Sequence, residues 1–393
     1  MRLLVAITSG FGHIRPSAPI AAAAQHRGHD VRYVVSSRDR LLSGNSRGSG
    51  AISPAEFATG LGFPTDVVEP ADVASLVDRL PVPESDGAVM FRPFFVRAAA
   101  AVPFIRALCD EWEPDVILRD TAGLDAWAIA EQTDTPLATF DFAPAQSGML
   151  HEVAGGEFAW FREAMSLPPE PSGARQGSEL TIVGAAPSWF DGHSMPANTH
   201  FVQPMEPDPA PGESVEALLD GDDERPLVYV TFGTAFNAPE LFQLVFDAVG
   251  DLDVRVIATI GMNNETGDLS IPDNVRTVPF LSQGLILEHA DLVVAHGGYG
   301  SLTGALKRGI PVLSLPLAPP DNRFNAAQLV KLGAGLALGE DERTPEDIRR
   351  SLRRLLDHRE YRDRAAEIAD EIAALPPIDH AAELIERLAR PAD

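Results

Sequence analysis

A glycine-rich segment in the C-terminal third of the chain has residues suited to binding phosphate. Asp291 to Ala295 reads as a buried strand, which runs into His296-Gly297-Gly298-Tyr299-Gly300-Ser301 and then into an apolar helix. A strand, a glycine turn and a helix start present free backbone N–H groups and a positive dipole end to an anion. His296 and Ser301 can donate to phosphoryl oxygens, and Asp321-Asn322 can exchange hydrogen bonds with hydroxyl groups. Phosphate and hydroxyl recognition together indicate a sugar nucleotide.

A histidine after the first predicted strand has the chemistry of a general base. Arg2 to Thr8 reads as a buried strand, and the glycine-containing turn that follows it places His13 at the carboxyl edge of the sheet. A helix is predicted after this turn, from about Pro16 to Arg27. A hydroxyl group is a poor nucleophile until a base takes its proton, and histidine titrates near the working pH. Taken alone, a single histidine after a strand is more often an ordinary loop residue.

A carboxylate could fix the tautomer of His13 and stabilise its imidazolium form. Asp120 is the candidate, because it follows the predicted buried strand Asp115 to Leu118 and should emerge at the same sheet edge. The alternative is that Asp120 caps the helix that begins near Gly123, a role that aspartate fills well.

The ordered residues between Phe280 and Gln328 resemble the donor-binding signature of inverting, nucleotide-sugar-dependent glycosyltransferases of the GT-B fold. The similarity is greatest to the actinobacterial branch that attaches deoxysugars to natural products. The elements of the signature read Phe280, Gln283, His296-Gly297-Gly298, Ser301, Asp321-Asn322 and Asn325-Ala326. In that family the GHxxP histidine, here His13, is the base, and an aspartate at the position of Asp120 is its partner. The resemblance implies these donor-binding residues: Gly12, Thr234, Phe280, Leu281, Gln283, His296, Gly297, Gly298, Gly300, Ser301, Asp321 and Asn322.

Departures from the family pattern bear on the choice of donor. Gly304 stands where plant members use a glutamate to hold the ribose hydroxyls, so a 2′-hydroxyl gains little here. The sequence therefore favours a dTDP-sugar over UDP-glucose. Phe280 replaces the plant tryptophan, and Asn322 replaces the usual glutamine, which is compatible with a deoxysugar. Phe232-Gly233-Thr234 resembles the turn that approaches the β-phosphate, with a plain strand-ending turn as the alternative.

Aromatic residues of the N-terminal half cluster in segments that line the acceptor cleft of the resembling family. An apolar, aromatic cleft suits a flat, hydrophobic aglycone. The predicted acceptor-binding residues are Phe57, Met90, Phe91, Phe94, Phe95 and Phe142.

Two similar halves follow each other along the chain. Short apolar runs alternate with helical patterns in both, which predicts an α/β fold with two doubly wound, Rossmann-like domains facing across a crevice. Proline, glycine and acidic residues concentrate in 196–225, which predicts a linker. The expected division is an acceptor domain at 1–205, a linker at 206–225, a donor domain at 226–376 and, at 377–393, a C-terminal helix that returns to the N-terminal domain.

Composition favours a soluble, cytoplasmic enzyme. The chain has 393 residues, 45% of them hydrophobic, without the long apolar run that a membrane span needs. A net charge of −26 disfavours nucleic acid and anionic membranes as partners. The single cysteine, Cys109, argues against a disulfide or a structural zinc site. Asp220-Gly221-Asp222 fits a metal-binding pattern but reads as a solvated charge run, so no metal or other cofactor is expected. The oligomeric state stays open between a monomer and a homodimer.

Three other functions share part of this pattern. A sugar-nucleotide epimerase of the same fold would need acid and base groups aimed at the donor sugar, and His13 speaks against it. A non-catalytic binding protein would be expected to have lost the base or the phosphate turn. A nicotinamide-dependent dehydrogenase is disfavoured because the first turn reads GFGHIRP and not GxGxxG.

Overall fold

The structure is a computed structural model with two parallel sheets. It describes residues 1–8, 10–36, 53–68, 73–141, 154–170, 179–204, 206, 209, 212–219, 223–233, 238–261, 269–317 and 320–389. One sheet has seven strands and the other six, and helices cover both faces of each. The predicted architecture of two doubly wound α/β units is therefore confirmed.

The first sheet belongs to the N-terminal half and has the strand order β3-β2-β1-β4-β5-β6-β7, with all neighbours parallel. Its central strands are buried from end to end, because a parallel sheet covered on both sides requires apolar residues on both faces. The strands are β1 Arg2–Ala6, β2 Asp30–Ser36, β3 Thr65–Val68, β4 Val116–Asp120, β5 Leu137–Asp141, β6 Leu180–Val183 and β7 Thr199–Phe201. The helices of this half are α1 Phe11–His26, α2 Pro54–Gly60, α3 Val73–Asp78, α4 Asp86–Trp112, α5 Leu124–Thr133 and α6 Gly155–Ala164.

The second sheet has the order β10-β9-β8-β11-β12-β13 and is also parallel throughout. Its strands are β8 Leu227–Thr231, β9 Arg255–Thr259, β10 Val275–Val278, β11 Leu292–Ala295, β12 Val312–Ser314 and β13 Gly335–Ala337. The helices are α7 Pro239–Val249, α8 Gln283–Leu287, α9 Tyr299–Leu306, α10 Pro320–Lys331, α11 Pro345–Asp357, α12 Arg359–Ala373 and α13 Asp379–Leu388.

The last helix, α13, returns to the N-terminal half as the sequence predicts. It packs against α1 through buried apolar residues that include Ala381 and Ile385. At the edge of this contact the Glu386 carboxylate accepts hydrogen bonds from Arg27 Nε at 2.5 Å and from His29 Nε2 at 2.6 Å. The chain end therefore joins the two halves.

Side-chain contacts also tie the halves together beside the crevice. The Tyr299 hydroxyl donates to the Gly184 carbonyl at the end of β6. Trp189 Nε1 donates to Asn325 Oδ1 at 3.4 Å, and Lys331 Nζ donates to the Asp191 carbonyl at 2.6 Å. These bonds hold the start of α9 and the length of α10 against the N-terminal half.

Helix α1 begins earlier than the sequence predicts. The pattern placed its start near Pro16, whereas the helix starts at Phe11 and contains Pro16 and Pro19 in its interior. Proline has no N–H to donate to the carbonyl four residues before it, which usually ends a helix. Burial of Ile14 and Ala18 against the sheet outweighs this loss. His13 consequently lies in the first turn of a helix and not in a loop.

Candidate active site

In each sheet, the loops that follow two neighbouring central strands lie side by side. In the first sheet β1 lies beside β4, and the chain leaves these strands in opposite directions, to β2 on one side and β5 on the other. In the second sheet β8 and β11 are neighbours in the same way. Ligands of open α/β sheets bind at such switch points, outside the carboxyl ends of the strands. His13 and Asp120 lie at the first switch point, and Gly233 and His296 lie at the second.

His13 and Asp120 form a hydrogen-bonded pair. His13 Nδ1 lies 2.8 Å from Asp120 Oδ2, with the imidazole 24% exposed and the carboxylate fully buried. The Thr8 backbone N–H donates to Oδ2 at 2.9 Å, and the Thr8 hydroxyl donates to Oδ1 at 3.0 Å. Asp120 ends β4, and Gly123 is the N-cap of α5 without a side-chain cap, so the alternative capping role for Asp120 is wrong.

The pKa of Asp120 is set by opposing effects. Burial alone would raise the pKa, but His13, the Thr8 hydroxyl and the charge of Arg97 together hold it below its ordinary value. The carboxylate is therefore charged at neutral pH. A charged acceptor on Nδ1 fixes that nitrogen as the donor and leaves Nε2 as the basic atom of His13.

The predicted phosphate-binding turn depends on glycines that allow close approach of His296. A Cβ atom on Gly298 would lie 2.4 Å from His296 Nε2, and one on Gly233 would lie 2.9 Å from His296 Cε1. Gly297 has φ +85°, and a Cβ there would lie 2.6 Å from the Asn322 carbonyl oxygen. Asn325 Nδ2 donates to the Gly297 carbonyl at 3.0 Å and so fixes the turn.

Burial lowers the pKa of His296 to about 4, although a hydrogen bond with the Thr231 backbone opposes the shift. The imidazole is thus neutral at pH 7. It lies at the N-terminal end of α9, where Gly298 is the N-cap and Gly300 and Ser301 belong to the first turn. Gly300 is exposed, and a Cβ atom there would meet nothing within 4 Å. The turn is therefore open toward the crevice at this residue.

Asp321 connects the two switch points electrostatically. It is half-buried in the first turn of α10, and burial raises the pKa of its carboxyl, while the nearby His13 opposes the shift. The predicted sugar-binding carboxylate of one half therefore lies within electrostatic reach of the predicted base of the other.

Arg15 joins Phe57 and Phe280 across the crevice. Its guanidinium lies 5.5 Å from the ring centroid of Phe57 and 4.9 Å from that of Phe280. The Phe280 side chain is 36% exposed, so its ring is accessible for the predicted stacking on the nucleobase of the donor. Both distances are typical of cation–π contacts.

The other predicted donor residues are placed less uniformly. Gly12 is exposed at the start of α1 and Ser301 is half-buried in α9, whereas the Leu281 side chain is 6% exposed and packs in the core. Asn322 is 2% exposed behind the glycine turn, and no hydrogen bond reaches its Nδ2 atom. Gln283 Nε2 donates to the Gly300 carbonyl at 2.8 Å. Thr234 lies outside the described residues.

The predicted acceptor residues separate into partly exposed and core residues. Phe57 lies beside Phe11, with ring centroids 5.1 Å apart, and Phe94 is partly buried on α4, with its ring centroid 6.0 Å from that of Phe91. Phe91 is 8% exposed and Phe95 is fully buried, and both pack in the apolar core of the first sheet, so their assignment to the cleft is wrong. The side chain of Met90 and all of Phe142 lie outside the described residues.

Sequence reasoning missed several residues of this site. Thr8 gave no motif, although it supplies two of the hydrogen bonds to Asp120. Arg15 lies inside the glycine-containing turn that placed His13, and a cation facing the crevice of an acidic protein could have been singled out for an anionic donor. Glu206 was missed because it lies in an acidic, proline-rich stretch that reads as solvated linker.

The described residues allow two further statements about the site and its surroundings. Among them, no group of three or more His, Cys, Asp or Glu side chains is placed to hold a metal ion. None of the helices described is both long enough and apolar enough to cross a bilayer. Asp220-Gly221-Asp222 lies outside the described residues.

Comparison with known proteins places the chain among glycosyltransferases. Residues 243–388 match the family described as erythromycin biosynthesis protein CIII-like, C-terminal domain. The chain is 29% identical to 4'-demethylrebeccamycin synthase of Lentzea aerocolonigenes, with 98% of this chain and 99% of the relative aligned. It is 26% identical to 3-alpha-mycarosylerythronolide B desosaminyl transferase of Saccharopolyspora erythraea, over 99% and 98% of the two chains. A spinosyn rhamnosyltransferase complexed with thymidine diphosphate superposes with a TM-score of 0.78 at 21% identity, over 98% of this chain and 100% of that one. The chain therefore has the GT-B fold, its residues 243–388 match the erythromycin-CIII-like C-terminal domain, and it is similar over nearly its whole length to actinobacterial antibiotic glycosyltransferases.

Proposed function

We propose that this enzyme transfers a sugar, with inversion, from a nucleoside diphosphate to a hydroxyl group of a hydrophobic natural-product aglycone. The observation that carries the proposal is the His13–Asp120 hydrogen bond of 2.8 Å at one switch point, within electrostatic reach of Asp321 at the other. A base beside a hydroxyl-binding carboxylate is the arrangement that sugar transfer to a hydroxyl requires. Residues 1–205 would hold the acceptor and residues 226–376 the donor.

In this mechanism Nε2 of His13 takes the proton of the acceptor hydroxyl as its oxygen attacks the anomeric carbon. Asp120 stabilises the imidazolium that forms, because its buried carboxylate is already oriented by Thr8. The bond between the anomeric carbon and the diphosphate oxygen breaks on the opposite face of the sugar, so configuration inverts. The nucleoside diphosphate leaves with the electron pair of that bond.

The start of α9 is suited to stabilise the leaving diphosphate. Its first turn offers backbone N–H groups that have no acceptor within the helix, the Ser301 hydroxyl and the positive end of the helix dipole. The neutral imidazole of His296 lies beside the same turn and is held there by its hydrogen bond with the Thr231 backbone. These groups supply the charge stabilisation that a metal would otherwise give, and we propose that none is required.

A dTDP-sugar, including a deoxysugar, is the donor we favour. The support is the thymidine diphosphate bound to a structurally similar rhamnosyltransferase and the similarity of the chain to a 2-deoxy-L-fucose transferase of Streptomyces galilaeus. For the acceptor, the partly exposed rings of Phe57 and Phe94 suit a flat, apolar aglycone.

The test is acceptor-dependent release of nucleotide from a panel of dTDP- and UDP-sugars with polyketide and other flat, apolar aglycones. The product's anomeric configuration, read by NMR, should be inverted relative to the donor. His13→Ala should lower the rate by roughly 10²–10⁴-fold while donor affinity stays nearly unchanged. Retained configuration would overturn inversion, and nucleotide release with sugar isomerisation and no acceptor would indicate an epimerase instead.

A further inference from the structure

The Glu206 carboxylate occupies the space beside Gly304. A Cβ atom on Gly304 would lie 2.5 Å from Glu206 Oε1, and one on Gly284 would lie 2.8 Å from Glu206 Oε2. Glu206 comes from the segment that joins the two halves, far from Gly304 in sequence. The position that lacks a carboxylate of its own is therefore supplied with one from elsewhere in the chain.

Several hydrogen bonds hold Glu206 in this place. Gln283 Nε2 donates to Oε1 at 3.1 Å, and Arg308 Nη1 donates to the same oxygen at 3.4 Å. Lys307 Nζ donates to the Pro204 carbonyl at 2.9 Å and so anchors the preceding turn of chain. The Glu206 side chain is 24% exposed, which leaves it partly accessible from the crevice.

The location of Glu206 coincides with the gap between two expected donor subsites. Phe280 is three residues before Gln283, and Gln283 Nε2 bonds both Glu206 and the Gly300 carbonyl in the first turn of α9. In any nucleotide the pentose joins the base to the diphosphate. A donor with its base on Phe280 and its diphosphate at α9 must therefore place its pentose beside Gln283 and Glu206.

We infer that Glu206 accepts hydrogen bonds from the pentose hydroxyls of the nucleotide donor. Each carboxylate oxygen can accept more than one hydrogen bond, so the contacts with Gln283 and Arg308 leave acceptor capacity for a ligand. This role rests on the proposed function. It also changes the expectation drawn from Gly304, because the site does not lack a ribose acceptor, and Gly304→Glu would clash with Glu206 instead of restoring one.

Calorimetric binding of two nucleotides to the full-length protein tests this role. The probes are dTDP and 3′-deoxythymidine diphosphate, which differ only in the 3′-hydroxyl group from which Glu206 would accept a hydrogen bond. The wild type should bind dTDP about ten-fold or more tightly than the deoxy analogue, the size of a hydrogen bond to a charged group. Glu206→Ala should lower the affinity for dTDP by that factor and leave the affinity for the deoxy analogue unchanged. The variant should therefore no longer distinguish the two nucleotides.

Arg308→Ala is the matched control, because it breaks the ion pair and keeps the carboxylate. It should retain the preference for dTDP, whereas a purely structural role for the pair predicts equal effects of both variants on both nucleotides. Equal weakening of both nucleotides by Glu206→Ala, or a wild type that does not distinguish them, would overturn the assignment. If Glu206→Ala does not fold, Glu206→Gln is measured in its place. A wild type that binds neither of these nucleotides nor UDP would refute the proposed function itself.

Discussion

The role of Asp120 can be tested by replacing it with asparagine, a change of nearly constant shape. Asp120 Oδ2 accepts from both the Thr8 N–H and His13 Nδ1, whereas Oδ1 accepts only from the Thr8 hydroxyl in the bonds described. An asparagine can place its oxygen at the Oδ2 position and its NH₂ group toward the Thr8 hydroxyl, which can turn to accept. The opposite orientation would set the NH₂ group against two donors. We therefore expect Asp120→Asn to keep the tautomer of His13 and lose only the negative charge.

The magnitude follows from the separation of the charges. Two unit charges about 4 Å apart interact by roughly 4 kcal/mol at an effective dielectric constant of about 20. Loss of that interaction in the transition state would lower the rate by at most about three orders of magnitude. Asp120→Asn should therefore lower the turnover of acceptor-dependent nucleotide release by roughly 10²–10³-fold, less than the largest loss expected for His13→Ala.

A second substitution separates loss of charge from loss of tautomer. Thr8→Val removes the hydroxyl that would hold the introduced asparagine amide in the favourable orientation. Thr8→Val should lower the turnover little in the wild type and much more in the Asp120→Asn background. When either Asp120→Asn or Thr8→Val is combined with His13→Ala, the effects on turnover should be strongly non-additive. A loss in Asp120→Asn as large as in His13→Ala, or equal effects of Thr8→Val in both backgrounds, would refute this reasoning. Unchanged melting temperatures would show that the variants remain folded.

Three further predictions concern the glycine turn, the buried imidazole and the returning helix. Gly298→Ala should displace His296, because the new Cβ would lie 2.4 Å from its Nε2. Its affinity for dTDP, measured by calorimetry, should fall about ten-fold or more. Gly155→Ala is the control that should bind dTDP normally, because a Cβ atom there meets nothing within 4 Å. The pKa of about 4 for His296 in the free protein should rise beside a diphosphate, so dTDP-glucose should bind more tightly as pH falls from 7 toward 5; a pH-independent affinity, or the same trend in His296→Ala, would contradict this. Hydrogen bonds from Arg27 and His29 lower the pKa of Glu386 to about 2, so its stabilisation is present above the unfolded pKa of about 4.3 and is lost as pH falls toward 2. Glu386→Gln should lower the melting temperature by about 2–4 °C at pH 7 and by less at pH 3, and a constant difference between the two pH values would count against the ion pair.

The two sheets and the residue types at their edges could be predicted from the amino-acid sequence alone. Continuous apolar runs such as Val116 to Leu118 are readable because a parallel sheet covered on both faces accepts only apolar residues. The histidine and glycine turns are readable because local backbone conformation requires glycine at a φ of +85°, as at Gly297. Both depend on residues that are close in sequence.

The tertiary structure decided which distant groups meet. His13 and Asp120 are separated by 107 positions and pair only because β1 and β4 are neighbours at a switch point. Phe95 has the same residue type as its neighbour Phe94, and only the packing of α4 against α6 makes it a core residue.

Glu206 is the clearest case of a contact that no local pattern contains. Its acidic, proline-rich surroundings read as solvated linker, and its place beside Gly304 follows from the path of the chain between the two halves. Sequence patterns record what a residue's own strand or helix requires. Contacts across the crevice depend on how the separately patterned halves pack, and so they appear only in three dimensions.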